Sequence, residues 1–501
     1  MTIKQAKEFI EQTVLLYLKK DEYGEYRIPI QRQRPIFLLG APGVGKTAIM
    51  EQVAQNLGVA LVSYSMTHHT RQSALGLPFI THKKYGDEEF DISEYTMSEI
   101  IASIYETMEK SGIEEGILFL DEINCVSETL SPSMLQFLQY KTFGAHSVPK
   151  GWVVVTAGNP PEYNKSVREF DIVTMDRLKV LEVIPDYDAF KEYAKNKGLH
   201  NAILNFLELK REYFYKIETT VSGKSYVTAR GWEDLSEILK LYEEENLKVG
   251  DELIGQYLRN EKIVREFAAF YDLYNKYKRD YDIEGILEGH PSEFAFEKIA
   301  KAAVDERLSL LSMLMDEILF LMRKCVEEST VLSTLTPLLK NAKEKATDVK
   351  ALADVLSIQA QGQEKKLTSL KFANAQSDKM KKESREVIRF LKDASLEVLR
   401  SDVPNEAAFD VVKSIYNNRV MFSKKKCEDV SNKLSNLFAF VEKAFDDGNE
   451  MLILVSELTV NEYSSLFIGR FGSDEYKKHA NELMVDTKTD LLMMQINSLD
   501  I

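Results

Sequence analysis

Between about residue 35 and residue 185 the chain repeats one rhythm, a short apolar run rich in β-branched residues followed by a helical segment. The runs are IFLL (36–39), ALVSYS (60–65), GILFLD (116–121), WVVVTA (152–157) and LKVLEVI (178–184). Strands separated by helices in this way predict an α/β fold, a mostly parallel sheet with helices on both faces. Several of the runs are apolar throughout instead of alternating, as befits strands covered on both sides.

The remaining sequence reads as helix. Ile3, Ala6, Ile10, Val14 and Tyr17 recur at helical spacing and form an amphipathic lead-in. From about 186 to 280 the pattern is helical with no strand, and 281–501 is largely helical too. Between Pro337 and Pro404 only Gly362 interrupts, and Val387, Leu391, Ala394 and Val398 fall on one helix face. No heptad is sustained and no internal repeat is visible, so neither a coiled coil nor a solenoid is expected. A chain of 501 residues is expected to hold roughly three domains. The pattern divides it into a large α/β domain (1–184), an all-helical domain (185–280) and a helical C-terminal extension (281–501).

Charge and cysteine usage narrow the function classes. Lys and Arg total 64 against 79 Asp and Glu, a net charge of −15, which argues against a protein that wraps nucleic acid through phosphate contacts. The 3 cysteines, Cys125, Cys325 and Cys427, are far apart and form no CxxC pair, so neither a zinc site nor a disulfide framework is indicated and a cytoplasmic setting is expected. No signal-peptide pattern opens the chain and no apolar stretch reaches membrane-span length, so no membrane partner is expected.

Chemistry concentrates on three strand ends. Gly40-Ala41-Pro42-Gly43-Val44-Gly45-Lys46-Thr47 fits G-x-x-x-x-G-K-[ST] directly after a strand and before a helix that continues at Ala48. Glycines let backbone N–H groups turn inward around phosphates, and the helix N-terminus adds its positive dipole end. Lys46 reaches β- and γ-phosphates, and the Thr47 hydroxyl is a ligand for Mg²⁺. A second GKS ending, in Ser222-Gly223-Lys224-Ser225, lacks the first glycine and the preceding strand and reads as a loop. ILFLDE (117–122) ends an apolar strand in adjacent carboxylates, Asp121 placed to hold Mg²⁺ through water and Glu122 to polarise an attacking water. WVVVTA runs into Gly158-Asn159-Pro160, where the Asn159 amide can bond a γ-phosphate or the lytic water. His68 and His69 diverge and have no third ligand nearby, so no metal site is expected there.

GAPGVGKT, LFLDEIN, VTAGNP and MDRL, in this order and at these separations, resemble an AAA+ ATPase of the MoxR-like branch over about residues 30–185, and less closely to about 275. ILVSELTVNEYSSLFIGRFG (453–472) is similar to the tail of some MoxR-like proteins. The resemblance implies the AAA+ P-loop parallel sheet followed by an all-helical lid, with ATP and Mg²⁺ as cofactors. It also implies a ring homo-oligomer, a hexamer, in which a neighbour supplies an arginine finger. Asp176-Arg177-Leu178 occupies the place of the family's Asp-Arg-Phe, which makes Arg177 the finger and Arg168 the runner-up. Arg230, in Thr228-Ala229-Arg230-Gly231-Trp232, matches the lid's sensing arginine, with Thr228 capping its helix. PFITHKKYGDEEFDISEY (78–95) matches the family's inserted β-hairpin, turning at Tyr85-Gly86-Asp87. The function implied is chaperone-like remodelling of a protein client, often one bearing a von Willebrand factor A-type domain. A nucleic-acid motor or restriction-type subunit and a nucleotide-gated scaffold with little turnover are the alternatives.

Overall fold

The computed structural model describes residues 1–143, 146–164, 166–220, 223–401, 403–445 and 449–481. The chain forms two compact units, the first comprising Met1–Phe190, Thr228–Gly231 and Gln361–Ser384 and the second the intervening segments and the C-terminal residues.

The first unit is built on strands β1 (Ile36–Gly40), β2 (Ala60–Ser65), β5 (Gly116–Asp121), β8 (Trp152–Gly158) and β9 (Lys179–Val183). They pair in parallel in the order β2-β5-β8-β1-β9, with helices flanking the sheet. Burial on both faces explains their composition: Ile117, Leu118, Phe119 and Leu120 are successive residues and all fully buried. On one face Leu118, Leu120 and Val154 join Ile100, Ile104, Phe137 and Phe143 in a single core. The lead-in helix Ile3–Tyr17 starts at a capping box between Thr2 and Gln5 and buries Ala6, Ile10 and Val14. The inserted hairpin pairs β3 (Pro78–Tyr85) with β4 (Glu88–Tyr95), and Gly86 takes the left-handed conformation (φ +65°) that its two-residue turn requires. A shorter hairpin joins β6 (Thr142–Phe143) to β7 (His146–Ser147).

Both edges of the sheet are occupied. At β9 the Ile184 N–H donates to Met1 O (3.0 Å). At β2 the Leu61 N–H donates to Ala373 O (2.8 Å), and the Asn374 side-chain amide donates to Leu61 O (3.2 Å). Ala373 and Ala375 are buried in the same core as the sheet. A segment of the C-terminal extension therefore belongs to the first unit.

In the second unit Phe206 and Trp232 each pack edge to face with Phe267, and at a tilt with each other, joining the helices Asn201–Leu209, Ala229–Glu244 and Glu261–Asp280. A larger core is shared by Val304–Lys345, Ala408–Ala444, Glu450–Val460 and Glu462–Phe471. Val387, Leu391, Ala394 and Val398 lie on the buried face of Asp378–Arg400. Among the described residues no single helix is long and apolar enough to cross a membrane.

Three readings of the sequence are corrected. The segment taken as strand-free contains the hairpin β10 (Lys216–Thr220) with β11 (Gly223–Val227), so Gly223, Lys224 and Ser225 lie in a strand instead of a loop, and Ser222 is outside the described residues. Gly362 does not interrupt its helix: Val349–Phe372 runs through it, held by the buried stripe Leu352, Ala353, Leu356 and Ala360. The break comes instead at Asn374, left-handed at φ +50°, where Asn374 N–H bonds Lys371 O (3.1 Å) and Ala375 N–H bonds Leu370 O (3.1 Å), the Schellman pattern with Asn in the usual glycine position.

Replacing Asn374 with Ala removes the bond to Leu61 O and leaves a Cβ-bearing residue without local side-chain compensation at positive φ. The expected local cost is about 1–2 kcal/mol, so the Leu61 amide should exchange with solvent deuterium roughly tenfold faster. Unchanged protection at Leu61 would show that the edge is held by other contacts.

Candidate functional site

Parallel strands deliver their C-terminal ends to one side of the sheet, and β2, β5, β8 and β1 are consecutive neighbours. The loop after β1 carries Gly43 and Gly45 at φ +75° and +94°, and the helix Lys46–Leu57 starts from Gly45. A side chain at Gly43 would place its Cβ 2.9 Å from Thr228 Cβ, and one at Gly40 2.6 Å from Val183 O. Ala41 and Val44 are buried, Pro42 is half-buried, and Thr47 and Ala48 open the helix on the exposed side.

Lys46 is buried, and its Nζ donates to Gly40 O (2.7 Å), Ala41 O (2.9 Å) and Asn159 Oδ1 (2.9 Å). Burial lowers its pKa to about 8; the Arg230 charge acts in the same direction, against Asp121 and Glu122. The ammonium thus sits inside the loop on neutral acceptors, poised for an anion.

The carboxylates at the end of β5 are fixed differently. Asp121 Oδ2 accepts from Thr47 Oγ1 (2.7 Å), and Asp121 Oδ1 accepts from the Glu122 N–H (2.9 Å). Glu122 is left-handed at φ +57°, and its Oε2 accepts from both Ser65 Oγ (2.9 Å) and Thr67 Oγ1 (3.0 Å). Left-handed backbone at a glutamate is uncommon, and here it turns the side chain out of the strand line toward β2. The register places Ser65 opposite Asp121, which is why a hydroxyl at that strand end meets the neighbouring carboxylate.

Asn159 is backed by Asn124, whose Nδ2 donates to Asn159 O (2.8 Å). Asn124 is buried against Gly158, where a Cβ would fall 2.4 Å from its Oδ1, so the glycine before Asn159 is a packing requirement. Ser65, Thr67, Asn124 and Gly158 escape a reading by motif; the strand-end position of Ser65 and the Asn in LFLDEIN are the signals that mark two of them.

The arginines differ in surroundings. Arg230 is exposed in the first turn of Ala229–Glu244, where Thr228 Oγ1 accepts from the Gly231 N–H (3.3 Å), and its charge is felt at Lys46. Arg177 is exposed, does not converge on the loop residues, and donates from Nη1 to Gln139 Oε1 (2.7 Å). Leu178 beside it is buried in the sheet's core. Arg168 pairs with Glu128. His69 packs edge-on against Tyr64, 5.1 Å between ring centres, and among the described residues no group of three or more His, Cys, Asp or Glu is arranged to hold a metal.

Comparison with known proteins agrees with this geometry. Residues 36–174 match the family model of the ATPase family associated with various cellular activities (AAA). No curated protein matches the chain. The strand order and the phosphate-loop geometry agree with this match and support an AAA ATPase domain over residues 36–174.

Proposed function

We propose that this chain is a MoxR-like AAA+ ATPase, a Mg²⁺-dependent enzyme that hydrolyses ATP in a ring, a hexamer, to remodel a protein client. The observation that carries the proposal is the convergence of Lys46 with Asn159, Thr47 with Asp121, and Glu122 with Ser65 and Thr67 on neighbouring strand ends. The MoxR-like assignment, the hexamer and a client bearing a von Willebrand factor A-type domain rest on the sequence resemblance. So does the reading of 185–280 as the lid. The cytoplasmic setting rests on the sparse, widely spaced cysteines of the sequence.

The residues fit the cofactor. The hydroxyl of Thr47 and the carboxylate of Asp121 are a hard-oxygen donor pair of the kind Mg²⁺ takes, already 2.7 Å apart. When bound, Mg²⁺ neutralises charge on the β- and γ-phosphoryl oxygens. In the proposed reaction the loop amides and Lys46 bind the phosphates, and Asn159 orients the γ-phosphoryl group or the water. The Ser65 and Thr67 hydroxyls hold Glu122 Oε2, leaving Oε1 to take the proton of the water as its oxygen bonds to the γ-phosphorus. The bond from γ-phosphorus to the bridging oxygen breaks, and ADP leaves with its electron pair. Arg177 is the proposed finger for a neighbouring protomer's γ-phosphoryl group, a reading supported by its exposure and its hydrogen bond to the neutral Gln139 amide, whereas Arg168 is the weaker choice because it is ion-paired with Glu128.

Glu122→Gln should keep ATP binding and lower kcat by about 10²–10⁴-fold, and Arg177→Ala should lower it by about 10³-fold or more. Mixed in one ring, the two inactive variants should recover part of the ATPase rate, because some sites pair an intact Glu122 with an intact neighbouring Arg177. A mixed ring that stays inactive, with subunit exchange verified, would refute the trans-acting role of Arg177.

Lys46 makes nucleotide affinity depend on pH. Its proton is held fully only below a pKa of about 8 in the free loop, and phosphates beside it favour the charged form. Binding above that pH therefore takes up a proton, and affinity falls as pH rises from 8 toward 10, by up to about tenfold per unit. Calorimetry at pH 9 in buffers of different ionisation enthalpy should register uptake approaching one proton per site; no buffer dependence would mean that Lys46 is already fully charged in the free protein.

A further inference from the structure

The first unit must hold Asn159 at a place where the sheet no longer does. β8 pairs with β1 as far as Gly158 opposite Leu39, and with β5 as far as Thr156 opposite Leu120. Asn159 is therefore past the last paired residue on both sides, yet its Oδ1 meets the Lys46 ammonium at 2.9 Å. Pro160, next in the chain, confines Asn159 to extended backbone but donates no hydrogen bond. A bond from outside the strand fixes the Asn159 peptide: Asn124 Nδ2 donates to its carbonyl (2.8 Å).

Asn124 is itself held. It lies in the single turn Ile123–Cys125 after β5, where the Cys125 N–H donates to Glu122 O (2.9 Å), Ile123 is fully buried and Asn124 O accepts from the Arg168 N–H (2.9 Å). Its side chain is buried, and Oδ1 has no hydrogen-bond partner within the protein. Turning the amide over does not cure this, because exchanging O and N would set Oδ1 against Asn159 O, two acceptors face to face. An unsatisfied buried acceptor is destabilising, and leucine, branched at the same carbon, would bring none. Packing alone therefore does not call for asparagine here; the donor to Asn159 does.

We propose that Asn124 is a positioning residue for the hydrolysis proposed above, its carboxamide clamping the Asn159 peptide so that the Asn159 side chain is aimed; the inference rests on that reading of the site. With Oδ1 committed to Lys46, the NH₂ of Asn159 is the end of the amide that addresses the γ-phosphoryl group or the attacking water. A donor aimed at charge that develops in the transition state loses its effect when it is slightly misplaced. The loop amides and Lys46 bind the phosphates without it. Loss of the clamp is therefore expected in kcat and not in KM.

The test is steady-state ATPase kinetics of the full chain with Mg²⁺, as a double-mutant cycle between Asn124 and Asn159. Asn124→Leu should lower kcat by roughly 10–100-fold, with KM for ATP changed by less than about threefold. Asn159→Ala should lower kcat by about 10²-fold. In that background Asn124→Leu should cost less than about twofold more, because the side chain it positions is gone. Circular dichroism confirms folding, and Asn124→Ala, which cannot overpack the site, carries the same comparison if Asn124→Leu is not folded. A wild type without Mg²⁺-dependent hydrolysis would remove the proposed function and this inference together. A hydrolysing wild type whose Asn124 variants keep full kcat, show only a raised KM, or lose kcat equally with and without the Asn159 side chain would overturn this inference alone.

Discussion

The site depends on one constraint: central strands covered by helices on both faces have nowhere to place a charged or unsatisfied polar side chain except at their ends. Ile117 to Leu120 are sealed, and the first residues of that run free to carry charge are Asp121 and Glu122. β8 is buried through Gly158, its one internal hydroxyl, Thr156, being satisfied by donating to Ile36 O (3.0 Å), and its first polar side chain outside the core is Asn159. Because the strands are parallel, these exits fall on one side of the sheet, and the order β2-β5-β8-β1 sets the hydroxyls, the carboxylates, the amide and the phosphate loop side by side. The fold thus specifies the neighbourhood before any individual hydrogen bond is made.

Within that neighbourhood the dominant cost is the desolvation of Lys46. A fully hydrated ammonium would show no reason to titrate near 8; the depressed value reflects a charge whose three acceptors include two backbone carbonyls and a carboxamide but no direct carboxylate partner. Thr47, one residue on, is exposed and already bonded to Asp121. Adjacent residues at one helix start therefore differ in kind. One is a buried cation short of an anion, the other an exposed hydroxyl paired with a carboxylate. That division matches the two ends of a phosphate–metal complex, an anion to be received on one side and a cation on the other.

Much of this was legible in the sequence, because long apolar runs and glycine-rich turns report directly on burial and backbone conformation. All five sheet strands and the strand-end residues Asp121, Glu122 and Asn159 follow from such signals, whereas the 78–95 hairpin was expected from the family resemblance, with Tyr85-Gly86-Asp87 as its turn. What was not legible depends on tertiary partners. The hairpin 216–227 has the largely polar strands KIETT and GKSYV, without a clean apolar alternation to mark it. The helix stop at Asn374 uses asparagine where glycine is the usual signal, while the exposed Gly362 ends nothing. Ser65 and Thr67 are ordinary hydroxyl residues until the sheet register sets them against Glu122.

The edge strand β2 joins these two kinds of information. An unpaired edge is a template for association with another chain, and this one is blunted by Ala373 and Asn374, which take the N–H and C=O of Leu61. Four residues further along the same strand, Ser65 holds Glu122. A slip of β2 by one residue would turn each of its side chains to the opposite face of the sheet, and it would also move the hydroxyl away from the carboxylate. The contact at Leu61 is therefore more than edge protection. It fixes, from outside the sheet, the register on which the orientation of Glu122 depends, and it does so with residues more than 300 positions away in sequence, a distance at which no local pattern in the chain could have announced the pairing.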